Sequence, residues 1–114
     1  MPSIRIQAGS VQTTAQLNDT PTAQKVLEAL PIDSTARLWG QEVYFETPVR
    51  DEERDAQAEV PSGTVAYWPP GHALCLFFGE APASPVNVVG ALDGDPQELA
   101  KVQAGDSVRV EKAD

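Results

Sequence analysis

Most aromatic residues of the chain fall in two short blocks, and their rings are the groups best suited to hold a ligand. They are Trp39 and Tyr44 in the first block, and Tyr67, Trp68, Phe77 and Phe78 in the second. Aromatic rings that line one concave face bind proline-containing peptides or small flat apolar molecules. Such rings also fill the cores and plug the ends of β-barrels, so an interior role is the alternative interpretation.

Few other side chains offer chemistry. The chain has one histidine and one cysteine, His72 and Cys75. A lone histidine cannot build a metal site without Cys or carboxylate partners, so we predict no metal site and no cofactor. Cys75 lies among large apolar residues, which predicts a buried structural thiol rather than a nucleophile. Asn87 could hydrogen-bond a peptide backbone at the edge of a cleft or, alternatively, satisfy loop backbone groups.

Missing motifs and the charge balance narrow the function classes. The sequence has no Gly-rich phosphate loop, paired-histidine motif or serine nucleophile elbow, which argues against kinases, dehydrogenases, metalloproteases and hydrolases. Asp and Glu number 17 against 8 Lys and Arg, giving a formal net charge of −9. Such a surface repels phosphate backbones and anionic lipids, so we expect neither nucleic acid nor a membrane as a partner.

Length and cysteine content predict one cytoplasmic domain. The chain has 114 residues, which suits a single domain over residues 1–114. One thiol cannot form an internal disulfide, so nothing indicates an oxidising compartment. No segment approaches the ~20 apolar residues that span a bilayer.

Short segments of alternating apolar and polar residues predict a mainly β domain. The predicted strands are a hairpin at residues 4–17 and further strands at residues 32–38, 42–46, 64–68, 73–78, 87–92 and 107–112. Thr20 and Pro21 suit the cap and first position of a helix that Pro31 ends. Asp95 and Pro96 suit the start of a second helix in the same way.

Three further segments carry patterns of their own. The strand at residues 73–78 is apolar on both faces, so each side must be covered. The Pro-Pro-Gly-His sequence at residues 69–72 predicts a type II turn with a positive φ at Gly71. Residues 51–59 are charged without an apolar period, which predicts a solvated loop or a frayed helix.

Three blocks of sequence resemble the small prokaryotic cyclophilin-like proteins. They are LWGQEVYFETPV at residues 38–49, VAYWPPGHALCLFFG at residues 65–79 and SPVNVVG at residues 84–90, in the family's order and spacing. The second block is the most specific because it is rich in rare residues. The resemblance covers nearly the whole chain and implies a closed eight-stranded β-barrel with two short helices covering the ends.

The resemblance also raises one enzymatic alternative, because cyclophilins proper are peptidyl-prolyl isomerases. Their chemistry needs an apolar proline pocket and a cation near the prolyl nitrogen, which favours the twisted amide. The Phe-His-Arg motif that supplies this arginine is not found here, and residues 38–40 are Leu-Trp-Gly instead. Arg37 or Arg50 would have to provide the cation.

The sequence therefore leaves three functions open. We expect first a non-catalytic module that binds a peptide or a small apolar ligand in an aromatic groove. A weak peptidyl-prolyl isomerase is the second, and a protein-interaction or oligomer-forming subunit is the third. The predicted ligand-binding residues are Arg37, Trp39, Tyr44, Tyr67, Trp68, Phe78 and Asn87.

Overall fold

The computed structural model describes residues 2–79 and 84–113. Within them the chain forms nine strands, one α-helix and two 3₁₀ segments. In chain order they are β1 (Ser3–Ala8), β2 (Val11–Leu17), α1 (Pro21–Ala29), β3 (Ile32–Thr35), β4 (Arg37–Trp39), β5 (Glu42–Glu46), β6 (Thr64–Trp68), the 3₁₀ turn Pro69–Gly71, β7 (Ala73–Phe77), β8 (Asn87–Leu92), the 3₁₀ segment Pro96–Lys101 and β9 (Ser107–Lys112).

All nine strands of the described residues join in one antiparallel sheet, in the order β3-β9-β1-β2-β8-β6-β7-β5-β4. The strands at the two ends of this order, β3 and β4, follow each other in the chain and are separated only by Ala36. The sheet therefore curls round until its two edges meet along one stretch of chain. The result is a nearly closed barrel, so the predicted mainly β barrel is confirmed.

The described strands number nine rather than eight because the expected strand at residues 32–38 divides at Ala36. Before Ala36 the chain pairs with β9, and after it the chain pairs with β5. Ala36 itself donates to the Asp106 carbonyl (2.8 Å) and accepts from the Gly105 N–H (2.9 Å). The division is thus the place where one stretch of chain changes partners and nearly closes the barrel.

The helix α1 begins where the sequence predicts. Thr20 Oγ1 accepts a hydrogen bond from the Ala23 N–H (3.2 Å), and Pro21 occupies the first turn, where its missing N–H costs nothing. The helix packs against β8 and buries Ala23 and Val26 in the barrel core. The cap at Thr20 and Pro21 thus sets where the helix begins, and Ala23 and Val26 of that helix face the sheet.

The second predicted helix forms as a 3₁₀ segment. The Asp95 side chain caps it by accepting from the Gln97 N–H (3.0 Å), and Leu99 enters the core beside β2. No helix within residues 2–79 and 84–113 is long and apolar enough to cross a membrane.

The turn after β6 differs from the predicted type II turn. The His72 N–H donates to the Pro69 carbonyl (3.2 Å), and the positive φ (51°) lies at His72 rather than at Gly71. Two successive prolines hold φ near −65°, so the chain continues as a 3₁₀ turn and the left-handed residue comes one position later. Glycine is needed at position 71 for another reason, because a Cβ there would overlap the ring of Trp68.

Strand β7 is buried at every position, and both of its faces are covered as predicted. Leu74 and Leu76 belong to the core inside the barrel. A smaller outer cluster lies on the opposite side of the sheet. It consists of Val60, Ala66, Cys75, Phe77 and Val86, with Tyr44, Trp68 and Val88 packed against it. Val60 and Val86 lie in the segments that precede β6 and β8, so loops rather than a helix cover this cluster.

Candidate functional site

The register of the strands puts three of the predicted residues on one outer surface. Arg37 stands opposite Tyr44, Tyr44 stands opposite Cys75, and Trp39 stands opposite Glu42. Directly opposed residues share one face of a sheet, and Tyr44 and Cys75 both belong to the outer cluster. Arg37, Trp39, Glu42 and Tyr44 therefore form one surface of the β4–β5 hairpin, which we call the outer hairpin face.

Trp68 lies on the same side of the sheet, farther along it. Trp68 stands opposite Ala73, which in turn stands opposite Glu46 of β5. The ring is half-buried against the outer cluster, and its indole N–H donates to the Ser84 hydroxyl. Trp68 is thereby tied to the segment that covers the outer cluster.

The outer hairpin face is open to solvent at β4. All three residues of β4 are exposed, and Trp39 keeps 61% of its surface accessible. Leu38, its neighbour in the chain, is 41% exposed. Leu38 stands opposite Val43 of the interior core, so its side chain lies on the other side of the hairpin. Tryptophan is highly buried on average, so the exposed Trp39 marks the outer hairpin face as a candidate binding surface.

The Arg37 side chain makes no hydrogen bond or ion pair with any residue that the structure describes, whereas the side chain of every other arginine does. The arginines paired with carboxylates are Arg5 with Glu111, Arg54 with Asp51 and Arg109 with Asp33, each at 2.8 or 2.9 Å. Arg50 donates to the backbone carbonyls of Thr47 (3.0 Å) and Val49 (3.1 Å). In a chain with a net charge of −9, the guanidinium beside Trp39 and Tyr44 is thus the one available to a ligand.

Glu42 brings a carboxylate to the outer hairpin face. Burial raises the pKa of Glu42, against a hydrogen bond from the Cys75 thiol that acts to lower it. Burial, followed by the neighbouring Glu42 carboxylate, raises the pKa of Cys75 well above its ordinary value. The thiol is therefore protonated and buried, as its sequence position predicts. Among the described residues, no group of three or more His, Cys, Asp or Glu is arranged to hold a metal ion.

Tyr67 and Phe78 lie inside the barrel and not on the outer hairpin face. Tyr67 is fully buried, and its hydroxyl donates to the Val49 carbonyl (2.8 Å) and lies 3.5 Å from Nδ1 of His72. Phe78 is 8% exposed and belongs to the interior core. These two rings fill the barrel. For them the structure therefore supports the interior role that the sequence left open as an alternative to ligand binding.

Asn87 joins α1 to the loop that follows β5. Its Nδ2 donates to Thr22 Oγ1 (3.2 Å) and to the Glu52 carbonyl (2.8 Å), and its Oδ1 accepts from the Arg54 N–H (3.0 Å). Asn87 is 2% exposed, so this amide satisfies loop backbone groups, the alternative that its sequence position left open.

Residues 51–59 form a largely exposed loop, as predicted, but Asp51 at its start is held against α1. The Asp51 side chain is only 2% exposed and accepts from Thr22 Oγ1 (2.7 Å) and Arg54 Nε (2.9 Å). Burial acts to raise the pKa of Asp51, but these hydrogen bonds outweigh it and the pKa is lowered. Sequence reasoning missed this contact because Thr22 and Asp51 are 29 positions apart and no local pattern connects them.

A cavity of about 220 Å³ lies between α1 and this loop. Its walls include Asn18, Thr20, Arg54, Gln57 and Asn87, and it shares no residue with the outer hairpin face. Asn18 already bonds to the Val88 carbonyl and to Thr20. The cavity and the outer hairpin face are therefore two separate candidate surfaces. The residues that the sequence predicts to bind a ligand lie on these two surfaces and in the barrel core.

Two features of the outer hairpin face were not predicted as part of a site. Glu42 could have been included, because the alternation at residues 42–46 already puts it on the same side as Tyr44. The position of β4 at the edge of the sheet could not have been predicted, because it depends on the change of pairing partner at Ala36.

A family model described as cyclophilin-like matches residues 2–111. The chain belongs to the cyclophilin-like family. The resemblance inferred from the three sequence blocks is thereby confirmed for this cyclophilin-like protein. A search of the curated proteins found no match.

Two solved structures resemble this cyclophilin-like protein over nearly its whole length. The solution structure of the hypothetical protein AF2241 from Archaeoglobus fulgidus is 39% identical, with a TM-score of 0.83, and the match covers 98% of this chain and 95% of that one. The structure of McbB in complex with tryptophan is 21% identical, with a TM-score of 0.79, and the match covers 96% of this chain and 44% of McbB. At that identity McbB shows a likeness of fold alone.

Proposed function

We propose that this cyclophilin-like protein is a binding module that holds a peptide or a small apolar ligand on its outer hairpin face. The observation that carries the proposal is that Trp39 is 61% exposed on the same face as Arg37, whose side chain forms no hydrogen bond or ion pair with a described residue. An exposed indole offers a large rigid apolar surface, and a guanidinium offers planar hydrogen bonding to carbonyl or carboxylate groups.

The residues of this surface take different roles in the proposal. Trp39 stacks on the ligand, and the half-buried Tyr44 forms the floor beside it. Arg37 donates hydrogen bonds to the ligand's polar end. Trp68 borders the surface where the outer cluster begins.

Tyr67, Phe78 and Asn87 support the surface from behind. Tyr67 and Phe78 fill the interior of the barrel, and Asn87 holds the loop at residues 51–59 in place. Their contribution to binding in this proposal is to keep the sheet in shape.

The proposal can be tested by NMR titration of the labelled protein with two probes, L-tryptophan and a capped Phe-Ala-Pro peptide. Tryptophan combines a flat ring with a carboxylate, and McbB was solved in complex with it. We expect amide shifts to change at residues 37–39 and 42–46. Trp39→Ala should weaken binding by about ten-fold or more, as loss of a central aromatic contact does.

Arg5→Ala is the matched control, because it removes a partly exposed arginine from β1, away from the hairpin. It should leave the affinity of both probes unchanged. Shift changes confined to the cavity beside α1, or binding that Trp39→Ala does not weaken, would overturn the proposal.

Weak peptidyl-prolyl isomerase activity is the second candidate, and the position of Arg37 favours it. Arg37 stands opposite Tyr44 in the hairpin register, whereas the Arg50 guanidinium is engaged by two backbone carbonyls. Exchange NMR on an Ala-Pro peptide with catalytic amounts of protein separates the candidates. Faster cis–trans exchange that Arg37→Ala abolishes would establish an isomerase, and shift changes without acceleration would leave the binding module.

A further inference from the structure

The outer edge of β4 carries backbone groups that pair with no residue in the described part of the chain. The hairpin turns over two residues beginning at Gly40 (φ 56°), so Trp39 and Glu42 are the hydrogen-bonded pair that flanks the turn. Hydrogen-bonded and non-hydrogen-bonded pairs alternate along an antiparallel ladder, which makes Leu38 and Val43 a non-hydrogen-bonded pair. The N–H and C=O of Leu38 therefore point away from β5.

The backbone N–H and C=O of Ala36 point to the same side of the strand as those of Leu38, and they are hydrogen-bonded. Ala36 lies two residues before Leu38, and its N–H and C=O bond to Asp106 and Gly105 in the turn before β9. No described residue takes the same position beside Leu38. A free N–H and C=O on an exposed edge are the groups with which an added strand pairs.

We propose that this protein binds an extended peptide segment that adds to the edge of β4 as a further antiparallel strand. The inference rests on the proposed function, because the side chains of the added strand would lie against the outer hairpin face. One peptide residue would pair with both backbone groups of Leu38. The direction is antiparallel because every described strand pair is antiparallel and that pairing is the more stable.

The pairing fixes which peptide side chains meet the outer hairpin face. In an antiparallel strand, the residue before the pairing residue lies opposite Trp39, and the residue after it lies opposite Arg37. The unpaired guanidinium favours an acidic side chain opposite Arg37. The indole favours an apolar side chain opposite Trp39, where the Glu42 carboxylate disfavours an acid. From its N-terminus to its C-terminus, the preferred peptide therefore has an apolar residue, then any residue, then an acidic residue.

The probe is the capped peptide acetyl-Thr-Phe-Thr-Glu-Thr-amide, titrated into the labelled protein. One matched peptide replaces the glutamate by glutamine, and a second carries an N-methyl group on the central threonine, which removes the N–H that bonds to Leu38. The glutamine peptide should bind roughly two- to five-fold more weakly, the range that an exposed ion pair supports. N-methylation should weaken binding by about ten-fold, as loss of a backbone hydrogen bond does.

Protein variants give the second arm of the experiment. Arg37→Ala should remove the difference between the glutamate and glutamine peptides, and Arg5→Ala should preserve it. Leu38→Pro removes the edge donor and should weaken the unmodified peptide to the level of the N-methylated one. An amide spectrum that retains the native pattern away from β4 shows that each variant is folded.

The outcomes separate strand addition from the proposed function. If the N-methylated peptide binds as well as the unmodified one while Trp39→Ala still weakens binding, strand addition is overturned and the binding surface stands. If N-methylation weakens binding and Trp39→Ala does not, strand addition stands and the aromatic surface is overturned. Binding of tryptophan but not of the unmodified peptide overturns strand addition alone.

Discussion

The outer surface of the barrel has two halves, one covered by loop residues and one exposed to solvent. On β6 and β7, Ala66, Cys75 and Phe77 are buried beneath loop residues. On β4, the large apolar ring of Trp39 is exposed. The segments before β6 and β8 cross the first half, and no described segment crosses the second. The covered half should therefore stabilise the fold, and the open half should contribute little to it.

The largest effect expected from this contrast is on the free energy of unfolding. Phe77 has no exposed surface, so Phe77→Ala should lower stability by about 3–5 kcal/mol through lost burial and a cavity. Trp39→Ala should change stability by no more than about 0.5 kcal/mol, as exposed substitutions do. Urea unfolding of both variants measures the difference, and similar losses would show that the open half is also part of the core.

A smaller effect is expected where the covering loop is held. Asn87→Ala removes three hydrogen bonds of a buried side chain and should cost about 2–3 kcal/mol. The loop at residues 51–59 should loosen, so hydrogen exchange at the Arg54 amide should accelerate. Gln24→Ala removes an exposed amide from α1 and is the matched control. Unchanged exchange at Arg54 would show that Asn87 does not hold the loop.

The smallest effect concerns the border between the halves, where Glu42 is half-buried. Its pKa is raised in the folded protein, so ionised Glu42 destabilises the fold above that pKa, and the cost disappears below its unfolded pKa of about 4.3. Glu42→Gln should therefore stabilise the protein at pH 7 and have no effect near pH 3. Glu46→Gln, an exposed carboxylate on the same strand, should do neither. A gain from Glu42→Gln that persists at pH 3 would contradict this account.

Local signals made much of the fold predictable. The cap at Thr20, the apolar alternation of β5 and the continuous apolar sequence of β7 each depend on a few adjacent residues, and the structure confirms them. The turn at residues 69–72 was predicted wrongly because two prolines and the Trp68 ring together decide its geometry. The buried carboxylate of Asp51 was missed because its partner Thr22 is distant in sequence.

The candidate site was predictable only in its residue types. Trp39, Tyr44 and Arg37 were included from sequence, and the register does put them on one face. Tyr67 and Asn87 were included on equal grounds, yet one lies in the core and the other bonds to the loop. The sequence gives the type of a side chain, but it does not show whether that side chain faces the core, a loop or the outer surface.

The sequence by itself determined the strand-forming segments, their apolar faces, the start of α1 and the burial of Cys75, because each follows from side chains a few positions apart. Only the tertiary structure decided which half of the outer surface is covered, and which arginine side chain and which strand edge find no partner among the residues that the structure describes. These features depend on contacts such as that between Thr22 and Asn87, 65 positions apart, and such contacts exist only once the barrel has formed.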